Sequence, residues 1–233
     1  MANEDASVLF GRATAALTYD DLSESEVDCA KRGILDTLGV CLAATGAGTE
    51  YVEPVRSLLA KDDVPSGVLA LGYGWRLTPG DAALWMGTLA HAVDFDDYAD
   101  NVHPSAPVVT AALPLAQSLG TVDGRSFIAA VAAGQDIVVR ISLAIRQLIS
   151  AHGWLQAMPN VFGAALASAK VLGLDAERTQ DALGLALHRV SGTMLAIEGV
   201  GSGYRAVRDG FYARDGLLIG QLAAAGLGGD DGA

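Results

Sequence analysis

The chain has 233 residues, of which 51% are hydrophobic, and its formal net charge is −12. That length and hydrophobic content allow one substantial buried core. The excess of 27 acidic over 15 basic residues would repel a phosphate backbone, so we expect no nucleic-acid partner. Two cysteines are too few for a disulfide framework, and the first ten residues lack the pattern of a signal peptide. We expect a cytoplasmic protein without a membrane span, because Asp136 and Arg140 interrupt the most apolar stretch.

Alanine- and leucine-rich segments with apolar residues at helical spacing follow one another along the chain and predict an all-α fold. The predicted helices cover residues 6–17, 27–45, 50–61, 81–93, 106–118, 125–151, 161–171, 176–190 and 204–227. Ser23 and Glu26 have the spacing of a capping box before the second helix. Residues 62–80 predict a loop or short extended connector, and residues 228–233 a flexible acidic tail. Short joints favour a compact helical bundle, with residues 1–233 as one domain.

The segment HAVDFDDYADNVHPS, residues 91–105, holds two of the four histidines and four aspartates. It lies within apolar helical sequence, where partial burial moves pKa values toward neutrality and favours acid/base chemistry. His103 is the best candidate for the group that handles a proton, and Asp94 for the carboxylate that orients it. His91 shares a helix face with Asp94 and predicts a structural pair or, alternatively, a substrate contact. The other aspartates are interpreted as helix-end or solvent-facing charges: Asp96, Asp97 and Asp100.

Two further motifs suggest chemistry more weakly. DDYAD, residues 96–100, fits the DDxxD pattern that binds magnesium diphosphate in helical terpene synthases, but no second metal-binding motif follows, and we predict no metal. GVGSG, residues 199–203, lacks the Lys-Ser/Thr of a phosphate loop. It is interpreted as an interhelical loop or, alternatively, as a loop that delivers Arg205 to a substrate carboxylate.

Five ordered segments carry a resemblance to a known family. They are GILDTLGVCLAATG, DAALWMGTLAHAVDFDD, HPSAPVV, VFGAALASAKVLGLD and GSGYRAVRDGFYARDG. In this order they resemble the MmgE/PrpD family, which includes dehydratases, decarboxylases and epimerases of small carboxylates. The resemblance implies a helical domain that longer members follow with a smaller α+β lid domain, absent from this chain. Either the sequence is part of a longer protein, or a naturally short enzyme uses a homodimer or a second polypeptide to supply the missing wall.

The resemblance also implies roles for individual residues. Asp94 and His103 match active-site positions of the family, and Tyr98, which stands where a threonine is common, is expected to shape the substrate site. Leu155 replaces a histidine of the family's GWH segment, so His152 is the expected substitute.

Two arginines stand where the family has other residues: Arg205 occupies the place of a lysine and Arg208 that of a histidine. Arginine keeps a charge for anion binding but is a poor proton donor or base. The roles implied for Arg205 and Arg208 are therefore to bind a small anionic substrate.

These observations predict a lyase or isomerase that works without a cofactor, by proton transfer on a small carboxylate or related carbonyl compound. Two alternatives stay open. One is a repurposed biosynthetic enzyme that dehydrates or cyclises a larger intermediate. The other is a non-catalytic helical subunit of a two-chain complex, which the loss of the usual histidine and lysine would suit.

Overall fold

A computed structural model describes residues 5–47, 49–60, 64–193 and 203–230. Within these ranges the chain forms nine α-helices, one 3-10 turn and a two-stranded ribbon, so the predicted all-α fold is confirmed. The helices are α1 (Ala6–Ala16), α2 (Glu24–Ala47), α3 (Thr49–Leu59), α4 (Pro79–His91), α5 (Ser105–Leu119), α6 (Gly124–His152), α7 (Asn160–Val171), α8 (Ala176–Leu187) and α9 (Tyr204–Ala224); the 3-10 turn is Tyr19–Asp21.

Polar side chains fix where many of the helices begin. The predicted capping box is present before α2: the Ser23 N–H donates to Glu26 Oε2 at 2.7 Å, and the Glu26 N–H donates to Ser23 Oγ at 3.3 Å. Asp123 and Asp175 cap α6 and α8 by accepting from backbone N–H groups of the first turn. These bonds satisfy donors that a helix leaves unpaired at its start.

The connector between α3 and α4 contains the short extended segment that its composition predicts. Strands β1 (Val68–Leu69) and β2 (Arg76–Leu77) pair antiparallel, with Val68 opposite Leu77. The ribbon covers one end of α4, because Val68 and Leu77 pack with Trp85 in one buried cluster.

Helix ends differ from the prediction by up to three residues, as at the start of α2 and the ends of α8 and α9. Helix α4 ends at His91 rather than near residue 93, because Asp94 adopts a left-handed φ of 51° that a helix cannot continue through. Residues 228–230 of the predicted tail contact the bundle: the Gly229 N–H donates to Asp181 Oδ1 at 3.0 Å, and Asp230 contacts His188 at the end of α8. The predicted loop at residues 199–203 lies outside the described residues apart from Gly203.

Helix α9 runs through the middle of the bundle and crosses α4 at very short range. A Cβ atom on Gly87 would lie 2.6 Å from Gly210 Cα, and one on Gly210 would lie 2.4 Å from the Leu84 carbonyl oxygen. Only glycine permits such backbone contact. The crossing places Arg208 and Asp209 of α9 beside the C-terminal end of α4, where the site lies.

Helix α6 is the one helix of the described residues with the length and apolar content of a membrane span, in the segment Gly124–Ile149. Nearly half of its most apolar window is buried inside the protein. Its residues Val131 and Val138 belong to the main hydrophobic core, which is the usual place of such a helix in a bundle.

Candidate active site

The segment 92–104, between α4 and α5, turns the chain back on itself. Three non-glycine residues in it have left-handed φ: Asp94 at 51°, Asp100 at 47° and Asn101 at 69°. Aspartate and asparagine tolerate this conformation better than other side chains do. Ala99 and Val102 pair across the resulting turn. The segment therefore forms a loop that returns toward the end of α4.

Five ionisable side chains meet at that point, and we call them the inner cluster: His91, Asp96, His103, Arg208 and Asp209. His91 Nδ1 lies 2.9 Å from Asp96 Oδ1 and 3.3 Å from Asp209 Oδ2. His103 Nδ1 lies 3.3 Å from Asp96 Oδ2. Arg208 is only 5% exposed and Asp209 fully buried. Buried charges of both signs thus surround two imidazoles.

The partners of His91 determine its tautomer. Arg208 Nη2 lies 2.6 Å from His91 Nε2, and a guanidinium can only donate. His91 Nε2 must therefore accept, which places the ring hydrogen on Nδ1, from where it donates to Asp96. His91 thus bridges Arg208 and Asp96, and both of its ring nitrogens are engaged inside the cluster.

Asp96 and His103 shift each other's pKa values in opposite directions. Burial alone would raise the pKa of Asp96, but its contacts with His103 and His91 outweigh burial and bring that pKa below its usual range. Burial would lower the pKa of His103, but Asp96 at 3.3 Å and the charge of Asp209 raise it overall. Asp96 is thus held as the carboxylate, and His103 is favoured as the imidazolium.

Several buried polar atoms around the inner cluster have no hydrogen-bond partner among the described residues. They are Arg208 Nε and Asn160 Oδ1, together with His103 Nδ1 and Asp209 Oδ2, which each lie 3.3 Å from an ionisable group but outside hydrogen-bond geometry. Asn160, at the start of α7, donates to Asp209 Oδ1 at 3.0 Å, which ties α7 to the cluster. Buried polar atoms are rarely left unpaired in proteins. Their concentration here indicates a place where a ligand or water makes hydrogen bonds.

An ion pair of Asp94 and Arg205 lies at the edge of the cluster, and we call it the rim pair. Arg205 Nη2 is 2.6 Å from Asp94 Oδ2, and both side chains are 45% exposed. Asp94 Oδ1 is 3.7 Å from His91 Nε2, which places the rim pair beside the inner cluster. Tyr98 packs its ring against His103 with ring centres 5.5 Å apart. A solvent-accessible cation therefore lies at the outer side of the buried groups.

The structure brings together most of the residues singled out from the sequence, but one predicted role for an aspartate is wrong. Asp96, interpreted as a helix-end or solvent-facing charge, is 7% exposed and contacts both histidines, whereas Asp94 is half-exposed and pairs with Arg205. Asp94 is thus the nearest carboxylate to Arg205 and Asp96 the nearest to His103.

His152 is not brought to the inner cluster. It is exposed at the C-terminal end of α6 and makes none of the hydrogen bonds or ion pairs that hold the cluster. Leu155, at the position of the family's other histidine, is fully buried in the apolar core around α7, α8 and α9. The expectation that His152 substitutes for that histidine gains no support from this arrangement.

Asp209 and Asn160 were not selected from the sequence. Asp209 lies inside the quoted segment GSGYRAVRDG, and an acid directly after the candidate binding residue Arg208 was a signal that could have indicated it. Asn160 carries no such signal, because it comes 57 residues after the His103 carbonyl that it approaches.

His91, Asp96 and His103 also offer three ligand atoms within 4.8 Å of one another, as in a divalent metal site. A metal bound at His91 Nδ1 would leave the hydrogen on Nε2, where it would oppose the guanidinium of Arg208 at 2.6 Å. Arg208 already supplies a cation to this cluster. The residues therefore fit an ion-pair cluster better than a metal centre.

The chain resembles proteins of known activity over most of its length. The family sequence model named MmgE/PrpD N-terminal domain matches residues 10–233 of this chain. A cis-aconitate decarboxylase of Aspergillus terreus is 33% identical over 225 residues, covering 90% of this chain and 44% of that protein. The human cis-aconitate decarboxylase is 26% identical over 239 residues, covering 95% of this chain and 46% of its own length. The chain thus spans less than half the length of these relatives.

Proposed function

The chain belongs to the MmgE/PrpD family and carries its N-terminal domain, and from this premise we propose that it is the proton-transferring helical part of a lyase. The proposed substrate is a small unsaturated polycarboxylate of the kind named in the relatives, cis-aconitate, and the proposed reaction is decarboxylation. The observation that carries the proposal is the placement of His103 against the buried carboxylate of Asp96, with the accessible cation of Arg205 at the rim of the same cluster, where its partner Asp94 lies 3.7 Å from His91.

His103 is the proposed proton donor. Its side chain is 18% exposed, whereas His91 is fully buried and held by Arg208 and Asp96. The raised pKa of His103, which Asp96 and Asp209 cause against the opposing effect of burial, favours the protonated form near neutral pH. A general acid needs this combination of access and a pKa close to the working pH.

Arg205 is the proposed binding group for a substrate carboxylate. Its present partner, Asp94, is half-exposed, and an exposed ion pair of this kind contributes only about 0–1 kcal/mol. A substrate carboxylate can therefore replace Asp94 at little cost and bind the guanidinium with two parallel hydrogen bonds. Arg208 is unsuited to this role because it is buried and donates to His91.

These two groups match what decarboxylation requires. The bond between the carbon skeleton and one carboxylate breaks, CO2 leaves, and the electron pair of that bond moves onto the skeleton. A proton then completes a new carbon–hydrogen bond, and His103 supplies it. Arg205 holds another carboxylate so that the acceptor carbon meets the imidazolium. His103 recovers its proton from solvent after the product leaves.

The relatives are about twice as long as this chain, and we propose that a further polypeptide segment or subunit covers the site. Exposed aromatic side chains beside the inner cluster agree with such a cover: Phe95 is 80% exposed and Tyr98 is 65% exposed. A homodimer or a second polypeptide would bury them and exclude water from the reaction.

The test is release of CO2 from cis-aconitate by the purified protein, with the His103→Asn variant beside the wild type. We expect loss of a general acid to lower kcat about 100- to 10,000-fold. His188→Asn is the matched control, because His188 is a surface histidine paired with Asp230. Equal turnover in the wild type and His103→Asn would contradict the proposed role. A folded wild-type protein with no turnover, also in the presence of its partner, would favour the non-catalytic subunit instead.

A further inference from the structure

We propose that Asp97, Ser105 and Gln135 form a positioning network that fixes Asp96 and His103 in their working geometry. The kinetic part of this proposal rests on the proposed function, whereas the structural part does not. The three side chains lie on the far side of the loop from the inner cluster, and we call them the loop network.

The loop network is a continuous chain of hydrogen bonds. Asp97 Oδ1 accepts from the Ser105 N–H at 3.1 Å, and Ser105 Oγ donates to Asp97 Oδ2 at 2.5 Å. Gln135 Nε2 of α6 donates in turn to Ser105 Oγ at 2.6 Å. Ser105 is fully buried. The carboxylate also faces the N-terminus of α5, where a negative charge is favourable.

Helix α2 holds the same loop from outside. The Asp97 N–H donates to Asp36 Oδ2 at 3.1 Å. One turn earlier, a Cβ atom on Gly33 would lie 2.3 Å from Gln135 Nε2 and 2.4 Å from Ser105 Oγ. The α2 backbone therefore approaches the loop network as closely as glycine allows, which leaves Ser105 and Gln135 little freedom to move.

The positions of these bonds in the chain explain what they hold. Asp97 follows Asp96 directly, and Ser105 comes two residues after His103. The two hydrogen bonds between Asp97 and Ser105 thus close the loop just outside Asp96 and His103, whose side chains must stay 3.3 Å apart. An error of about 1 Å in the placement of reacting groups lowers the reaction rate by up to about 100-fold. The network acts through Asp96 and His103 and is therefore a positioning device.

The surroundings of Asp97 separate this role from substrate binding. Asp97 lines an apolar groove of about 730 Å³ between α1, α2 and α6, and none of the inner-cluster residues lines that groove. Burial raises the pKa of Asp97, although the hydrogen bonds from Ser105 oppose it. Adjacent aspartates thus point to opposite sides of the loop: Asp96 toward the histidines and Asp97 toward α5.

The test compares Ser105→Ala with Ser168→Ala. Both variants remove a fully buried serine hydroxyl, but Ser168 Oγ donates only to the Ala164 carbonyl within α7. The first readout is the titration of the His103 ring by NMR, assigned by the signal that His103→Asn removes. The second is the separate measurement of kcat and KM with cis-aconitate.

In Ser105→Ala we expect the His103 midpoint to move down toward the ordinary histidine value, because contact with Asp96 loosens. We expect kcat to fall about 10- to 100-fold while KM changes little. Ser168→Ala should leave both unchanged. Identical His103 titrations in the two variants would overturn the proposal.

The NMR readout needs no turnover, so it judges the loop network even if cis-aconitate is not a substrate. A lowered midpoint without any turnover would leave the network standing and contradict only the proposed function. If Ser105→Ala fails to fold, Gln135→Met removes the outer bond of the network with a side chain of similar length, and the same shift, smaller in size, is expected.

Discussion

Arg205 and Arg208 lie three residues apart on α9, yet they occupy contrasting environments. Arg205 is 45% exposed and pairs with Asp94 at the rim, whereas Arg208 is 5% exposed and donates to His91 inside the cluster. An exposed ion pair exchanges partners readily, while a buried cation must remain to compensate nearby carboxylates. The same residue type thus serves substrate binding at one position and assembly of the site at the other.

Removing the two arginines should separate these roles most strongly. Arg208→Met leaves the buried carboxylates of Asp96 and Asp209 without their cation, and we expect a loss of about 3–5 kcal/mol in the free energy of unfolding. Arg205→Met should cost less than about 1 kcal/mol, because the rim pair is solvated. Urea unfolding measures both. Equal losses would show that the contrast between rim and cluster does not exist.

A smaller effect is expected from pH within the inner cluster. The pKa of His103 is raised from 6.5 because Asp96 and Asp209 outweigh burial. Its stabilising effect is therefore fully present below pH 6.5 and is lost as the pH rises through the folded-state value. The difference in unfolding free energy between the wild type and His103→Asn should shrink over that range. A difference that grew with pH would mean that the His103 pKa is lowered.

The smallest change in stability is expected at the rim. Asp94→Asn keeps a side chain that tolerates the left-handed φ of 51° but removes the charge that occupies Arg205. We expect a change in stability below about 1 kcal/mol and tighter binding of a dicarboxylate, measured by calorimetry. Weaker binding would show that Asp94 itself contacts the ligand, as its match to the family's active-site aspartate implies.

The sequence was sufficient for the helices, because caps such as Ser23 with Glu26 and the helical spacing of apolar residues are local signals. It was insufficient for the loop. Asp96 and Asp97 are neighbours of the same residue type, and only their contacts in the folded loop, Asp96 with His91 and Asp97 with Ser105, show that they face opposite sides. The burial of Arg208 depends on the close crossing at Gly87, which no local pattern reveals.

The most direct test of the central claim is the pH profile of CO2 release from cis-aconitate by the wild type and by His103→Asn. If protonated His103 supplies the proton, the wild-type rate should fall as the pH rises through the raised pKa of His103, above its ordinary 6.5. The residual rate of His103→Asn should not show that step. A wild-type rate that increased through this range, or a step that persisted in His103→Asn, would contradict the account.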